Sequence, residues 1–157
     1  MSSAQERLAA ARDILAAWVN DFQEPEPERL DAGIAPADLM AAVRALQTAH
    51  WGYLAAITGL DLGAEAGQLE VLYHFCSGAA VMTLRVPIPR QESSVPSICE
   101  IIPSASVFER ELAEMLGVTV IGTPNTDRLF LADDWPLDSY PLRKDAFVDS
   151  AEKEQGA

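Results

Sequence analysis

Basic residues, cysteine and histidine are all scarce in this chain, and long apolar runs are missing. Only 11 of its 157 residues are Lys or Arg, against 24 Asp and Glu, for a formal net charge of −13. Phosphate recognition draws on clustered Lys and Arg, so a balance this acidic excludes nucleic acid as a partner class. Anionic lipid surfaces are excluded for the same reason. No apolar run approaches the roughly 20 residues needed to cross a bilayer, so direct membrane insertion is not expected. The stretch MSSAQERLAAARD at the N-terminus lacks a basic segment followed by an apolar one. No secretory signal is therefore expected, and a cytosolic setting follows.

The chain has 2 cysteines, Cys76 and Cys99. Neither has a second Cys nearby to form a metal-ligand pair. An iron–sulfur cluster needs about four thiolates, so this chain cannot hold one alone. The expectation is two small buried hydrophobes in a reducing compartment. Histidine is equally rare, with 2 in the chain. His50 falls at a helix end and His74 inside a strand, neither with a convincing Ser or Cys to activate, so a catalytic triad is not expected. GTP at 122–124 lacks the Lys and glycines of a phosphate loop. Asp133, Asp134 and Asp138 carry cation-binding groups without the EF-hand spacing, and read as a solvated acidic loop. The expectation is no catalytic, cofactor-binding or metal-binding residue, and no cofactor.

What is present is ample apolar material: 49% of residues are hydrophobic. One domain of this size buries about two-thirds of its unfolded surface. Residues 5–22 read as an amphipathic helix, with Leu8, Ala11, Leu15, Trp18 and Phe22 on one face and Ser2 or Ser3 as its cap. EPEPERLDAG then breaks the period as an acidic linker, with a short strand expected around Leu30 to Ile34. Pro36 suits the first turn of a second helix, Asp38 sits near its positive end, and Leu39, Val43 and Leu46 form its buried stripe. YLAAITGLD, QLEVLYHF and AVMTLRVPI are strand-like runs separated by Gly63 with Gly67 and by Ser77 with Gly78, the latter a tight hairpin. A fourth short strand is expected at Ile98 to Ile102. The fold class is α+β: a two-layer domain with a mixed, mostly antiparallel sheet covered by helices, followed by an extended C-terminal segment. The domain boundaries drawn are 1–35 (helix and acidic linker), 36–121 (α+β domain) and 122–157 (extended segment, then an acidic tail after Asp149).

The stretch PSASVFERELAEMLG, residues 103–117, contains a complete helix signal. Ser106 and Glu109 have capping-box spacing, which starts the helix at Val107 with Glu109 as part of the cap. Phe108, Leu112 and Met115 face the core, and Gly117 ends the helix in the left-handed conformation. Arg110, Glu111 and Glu114 are left on the exposed side. The following VTVIGTPNTDRLFLADDWPLDSYPLRKDA shows neither period. About thirty residues without regular structure are unusual in a compact domain, and this segment is too apolar for disorder. Partner binding is the better explanation. Phe130, Trp135 and Tyr140, with Arg143 and Lys144, are the residue types that anchor interfaces. The basic pair Arg143-Lys144 is expected to meet a carboxylate on the partner.

FERELAEMLGV, GTPNTDRLFLADDW and YPLRKDA, in that order, resemble the 30-kDa subunit family of respiratory complex I, the proton-translocating NADH:quinone oxidoreductase. That family includes the matching subunits of photosynthetic NDH-1 and of energy-converting membrane-bound [NiFe] hydrogenases. The resemblance spans about residues 36–146. Thr123 stands where the family usually has His, Asp127 where it has the first Arg, and Leu116 and Ala146 where it has aromatics. The resemblance implies a protein without cofactor or chemistry of its own, in the peripheral arm on the cytoplasmic side of the membrane. It would dock on the 49-kDa subunit near the iron–sulfur subunits, with its C-terminal segment wrapped on the partner. Arg110, Glu111, Glu114 and Arg128 join the five residues above as docking residues. The alternatives are the same role in a membrane-bound group 4 [NiFe] hydrogenase or formate hydrogenlyase, and a free-standing acidic binding module.

Overall fold

Residues 3–146 are described by a computed structural model. The acidic tail after Asp149 lies outside the described residues. In chain order the elements are α1 (Ala4–Leu15), β1 (Val19–Gln23), β2 (Arg29–Ile34), a 3-10 turn (Pro36–Asp38), α2 (Leu39–Thr48), β3 (Tyr53–Asp61), β4 (Gln68–Ser77), β5 (Ala80–Pro89), β6 (Ser94–Pro96), α3 (Ala105–Leu116) and β7 (Thr119–Ile121).

Five strands form a sheet in the order β1-β2-β5-β4-β3, and β6 pairs with β7 in a separate two-stranded sheet. Within the larger sheet β2 and β5 run parallel while the other pairings are antiparallel. The sheet is thus mixed and mostly antiparallel, and the architecture is α+β. β4 and β5 join through the two-residue turn Gly78-Ala79 between the paired Ser77 and Ala80. Strict alternation selects the faces. Leu69, Val71, Tyr73 and Phe75 of β4, with Met82, Leu84, Val86 and Ile88 of β5, point into one core. Leu8 and Leu15 of α1, Leu39, Val43 and Leu46 of α2, and Leu112 and Leu116 of α3 close that core from the helical side.

Three expectations change. The first helix stops at Leu15 rather than continuing to Phe22. Residues 19–23 instead form the edge strand β1, with Phe22 opposite Ala32 of β2. Trp18 and Phe22 fit a helical period, but sheet pairing supplies long-range hydrogen bonds that the period cannot anticipate. Arg12 ties the strand back to α1, with its guanidinium 5.0 Å from the Phe22 ring and 2.6 Å from Glu24. Of the two candidate caps, Ser3 forms a full capping box with Glu6. Second, Ile98 to Ile102 is not a strand: Ile101 and Ile102 both donate main-chain bonds to the Ile98 carbonyl, a helical turn. The strand lies earlier, at Ser94–Pro96, in what reads as loop. Third, residues 1–35, set apart in the sequence as helix and linker, supply α1, β1 and β2, and β2 lies inside the main sheet against β5.

Candidate docking surface on the C-terminal strap

The site is built on α3. Its buried residues are Ala105, Glu109, Leu112 and Leu116, while Phe108 and Met115 are only half-buried. This rotates the inner face toward Glu109 relative to the sequence expectation. The helix comes against β3 at Gly59, where a Cβ would collide with the methyl groups of Leu112 and Leu116. Gly117 ends the helix at φ 69°, and a Cβ there would collide with the Tyr140 ring.

Glu109 is not a cap. The residue before the helix is Ser104, which makes no side-chain capping bond. Glu109 is 2% exposed and holds the 97–99 turn: its carboxylate accepts from Ile98 N at 2.7 Å, Ser97 Oγ at 2.8 Å and Cys99 Sγ at 3.2 Å. A helical turn in residues 98–102 leaves the Ile98 N–H without a strand partner, and Glu109 satisfies it along with the Ser97 and Cys99 side-chain donors. Burial raises the pKa of the Cys99 thiol.

Residues 122–146 contain no helix or strand and lie as a strap across α3. Arg110, half-buried rather than exposed, donates to the Asp127 and Arg128 carbonyls at 2.9 and 2.8 Å. One turn on, Glu114 accepts three consecutive strap amides: Leu129 at 3.2 Å, Phe130 at 2.8 Å and Leu131 at 3.0 Å. Burial pushes the Glu114 pKa up, but the three N–H donors outweigh it and the net shift is downward. The strap is also stitched to itself. Arg128 donates to the Ala132 and Trp135 carbonyls, and Trp135 Nε1 donates to Ser139 O at 2.9 Å.

Its far end is tied to the C-terminus of α3. Leu142 N donates to Met115 O at 3.0 Å and Arg143 Nε to Leu116 O at 2.7 Å, so a cation satisfies a last-turn carbonyl where the helix dipole is negative. The same guanidinium reaches the Arg90 carbonyl at 3.0 Å and lies 5.5 Å from the Tyr140 ring. Beyond it, Lys144 N donates to Asp61, which is 3% exposed and paired through both oxygens with Arg90 at 3.0 Å. Arg90 also holds Asp145 at 2.7 Å. The Arg90 hydrogen bonds hold the Asp61 pKa well below the usual carboxylate range and lower that of Asp145.

The nine docking candidates therefore do not form one outward patch. Arg110, Glu114, Arg128 and Arg143 spend their polar atoms on this chain's own backbone. Glu111, Trp135 and Tyr140 are half-buried, whereas Lys144 and Phe130 are exposed, Phe130 at 62%. Leu137 and Leu142, which are not among the docking candidates, are exposed at 85% and 57%. Between α3, β7 and the strap lies a cavity of ≈ 380 Å³, reached by Glu114, Val120, Trp135 and Tyr140. Asp61 and Arg90 also escaped sequence reasoning. Their signal was a lone carboxylate ending an apolar strand run and one of the chain's few cations at the end of another.

On the open face of the sheet, Arg85 bridges Glu70 and Asp31 at 2.6 and 2.8 Å. His74 sits between Thr58 Oγ1 at 2.9 Å and Thr83 Oγ1 at 3.0 Å, and burial lowers its pKa. Among the described residues no group of three or more His, Cys, Asp or Glu side chains is placed to hold a metal ion, and no helix is long and apolar enough to cross a membrane.

A mixed sheet under one helical layer, with a strap drawn back over its last helix, defines an α+β module whose irregular end is part of its structure. The family described as respiratory-chain NADH dehydrogenase, 30 Kd subunit, matches residues 32–152. The chain belongs to that family. An NADH-quinone oxidoreductase subunit of Ruegeria pomeroyi is 33% identical over 137 residues, covering 85% of this chain and 65% of that protein. Hydrogenase-4 component G of Escherichia coli is 31% identical over 142 residues, covering 88% of this chain and 26% of that protein. The chain thus spans less than two thirds of either relative. In fold it is similar to a chain of the membrane-bound sulfane sulfur reductase, an archaeal respiratory membrane complex, with a TM-score of 0.76 at 20% identity, covering 96% of this chain and 91% of that one.

Proposed function

We propose that this chain is a structural and assembly subunit of the peripheral arm of a complex-I-like quinone oxidoreductase. In this reading it docks on a protein of the 49-kDa type beside the iron–sulfur subunits, on the cytoplasmic side of the membrane. It works without an active site of its own, and the redox chemistry belongs to its partners. The observation that carries the reading is the strap. Phe130, Leu137 and Leu142 stay exposed on a segment that the fold itself fastens down at Arg110, Glu114, Asp61 and Arg143. Large apolar side chains on a held loop are the form a prepared docking surface takes, because ordering entropy is spent before the partner arrives.

A second reading keeps the same role in a membrane-bound hydrogenase. The similarity to hydrogenase-4 component G over 88% of this chain supports it. Affinity purification of the tagged full chain from its own cells, with mass spectrometry of what accompanies it, tests both. Flavoprotein NADH-dehydrogenase subunits in the assembly favour the first reading, and a hydrogenase large subunit favours the second. A chain that purifies alone from gently solubilised membranes and cytosol would sink both.

A further inference from the structure

We propose that the surface the strap offers is apolar at its centre and acidic at its rim, and that the partner face it fits is an apolar socket ringed by Lys and Arg. This rests on the docking role proposed above and adds the chemistry of the other side. The sequence suggests the opposite sign, with Arg143-Lys144 seeking a carboxylate on the partner. In the fold, the strap's arginines turn inward. Arg128 gives its guanidinium to Ala132 and Trp135 carbonyls, and Arg143 gives its own to Leu116 and Arg90 carbonyls. Four of the strap's five carboxylates turn outward: Asp127, Asp133, Asp134 and Asp138 are exposed and none takes part in an ion pair among the described residues, whereas Asp145 pairs with Arg90.

These carboxylates share a compact stretch with the apolar anchors. The Arg128 bonds and the Trp135 to Ser139 bond fold residues 128–139 into a self-stitched loop carrying Phe130 and Leu137, with Leu142 at its base. Covering that loop with a neutral surface would strip water from several carboxylates without replacement, whereas Lys and Arg at the socket's rim would compensate them. A second copy of this chain fits poorly, since each copy carries a formal charge of −13 and would bring like charges together. The chemistry is that of a cationic protein face with an apolar centre.

The test uses the full chain expressed in its source cells beside an untagged wild-type copy, with incorporation into the purified assembly as the readout. The triple variant Asp133→Lys, Asp134→Lys, Asp138→Lys should incorporate at least about tenfold less than wild type, and the corresponding Asn triple should fall in between. Raising the salt during purification should release wild type more readily than the Asn triple. Circular dichroism and the melting temperature of both variants should match wild type, because the altered side chains are exposed. Undiminished incorporation of the folded Lys triple overturns the proposal while leaving the docking role standing. A salt-insensitive wild type also overturns it. Failure of wild type itself to join any assembly overturns the docking role instead, and a self-dimer broken by Phe130→Ser and Leu137→Ser would hand the surface to a second copy.

Discussion

Replacing Glu114 by Gln leaves the backbone of α3 untouched and removes the charge that gathers three strap amides. In the wild type one oxygen takes Leu129 and Leu131 and the other takes Phe130. An amide keeps one acceptor and presents an NH2 group where the other stood, so at least one N–H faces a donor. The two remaining bonds become neutral. Hydrogen bonds to charged groups contribute about 1.5–3 kcal/mol each, and partial exposure of the site reduces that. A loss of about 2 kcal/mol in strap closure is the working figure, equivalent to roughly a 30-fold rise in the open population. Native-state hydrogen exchange on the full chain reads this directly. Protection at Leu129, Phe130 and Leu131 should drop by about that factor, while amides of β4 and β5 keep theirs. The pH dependence has a definite sign. The folded pKa of Glu114 lies below its unfolded value of 4.5, so its stabilisation is fully present above that value and is lost as pH falls through the lower folded value. Strap protection in wild type should therefore decline below about pH 4.5, with a flatter profile in Glu114→Gln. Unchanged protection at 129–131, or an equal loss in β4 and β5, would refute the idea that Glu114 closes the strap locally.

Gly59→Ala should lower stability by about 2 kcal/mol or more, because the added methyl group meets Leu112 and Leu116 in a packed interface; urea unfolding measures it, and a neutral effect would contradict the helix–sheet contact. Glu109→Ala strands the buried Ile98 N–H and the Ser97 hydroxyl and should cost about 3 kcal/mol by the same assay, whereas a change under about 1 kcal/mol would return Glu109 to a surface role. Leu112→Asp should unfold the domain while Glu111→Ala shifts stability by about 0.5 kcal/mol or less, and equal melting temperatures for the two would refute the orientation of α3.

The strands β3, β4 and β5 were legible from sequence because alternation has a period of two and their turns carry glycine. α2 was legible because Leu39, Val43 and Leu46 share one helical face below a proline start. Local patterns of this kind are written in neighbouring residues. The end of α1 was not, since the stretch after Leu15 suits either a helix face or an edge strand, and only pairing with β2 decides between them. The role of Glu109 was hidden for a related reason. Three residues after a serine, it satisfies a capping rule, but the donors that claim it lie in a turn about ten positions upstream. In the strap, the order of residues was enough to establish that aromatics and arginines would sit without regular structure. Which way they point was left to long-range contacts. Main-chain carbonyls at the end of α3 and within the strap need donors, and arginines supply them, so Arg128 and Arg143 turn in while Lys144 stays exposed. Asp127, Asp133, Asp134 and Asp138 find no cation there and remain in water, whereas Asp145 pairs with Arg90.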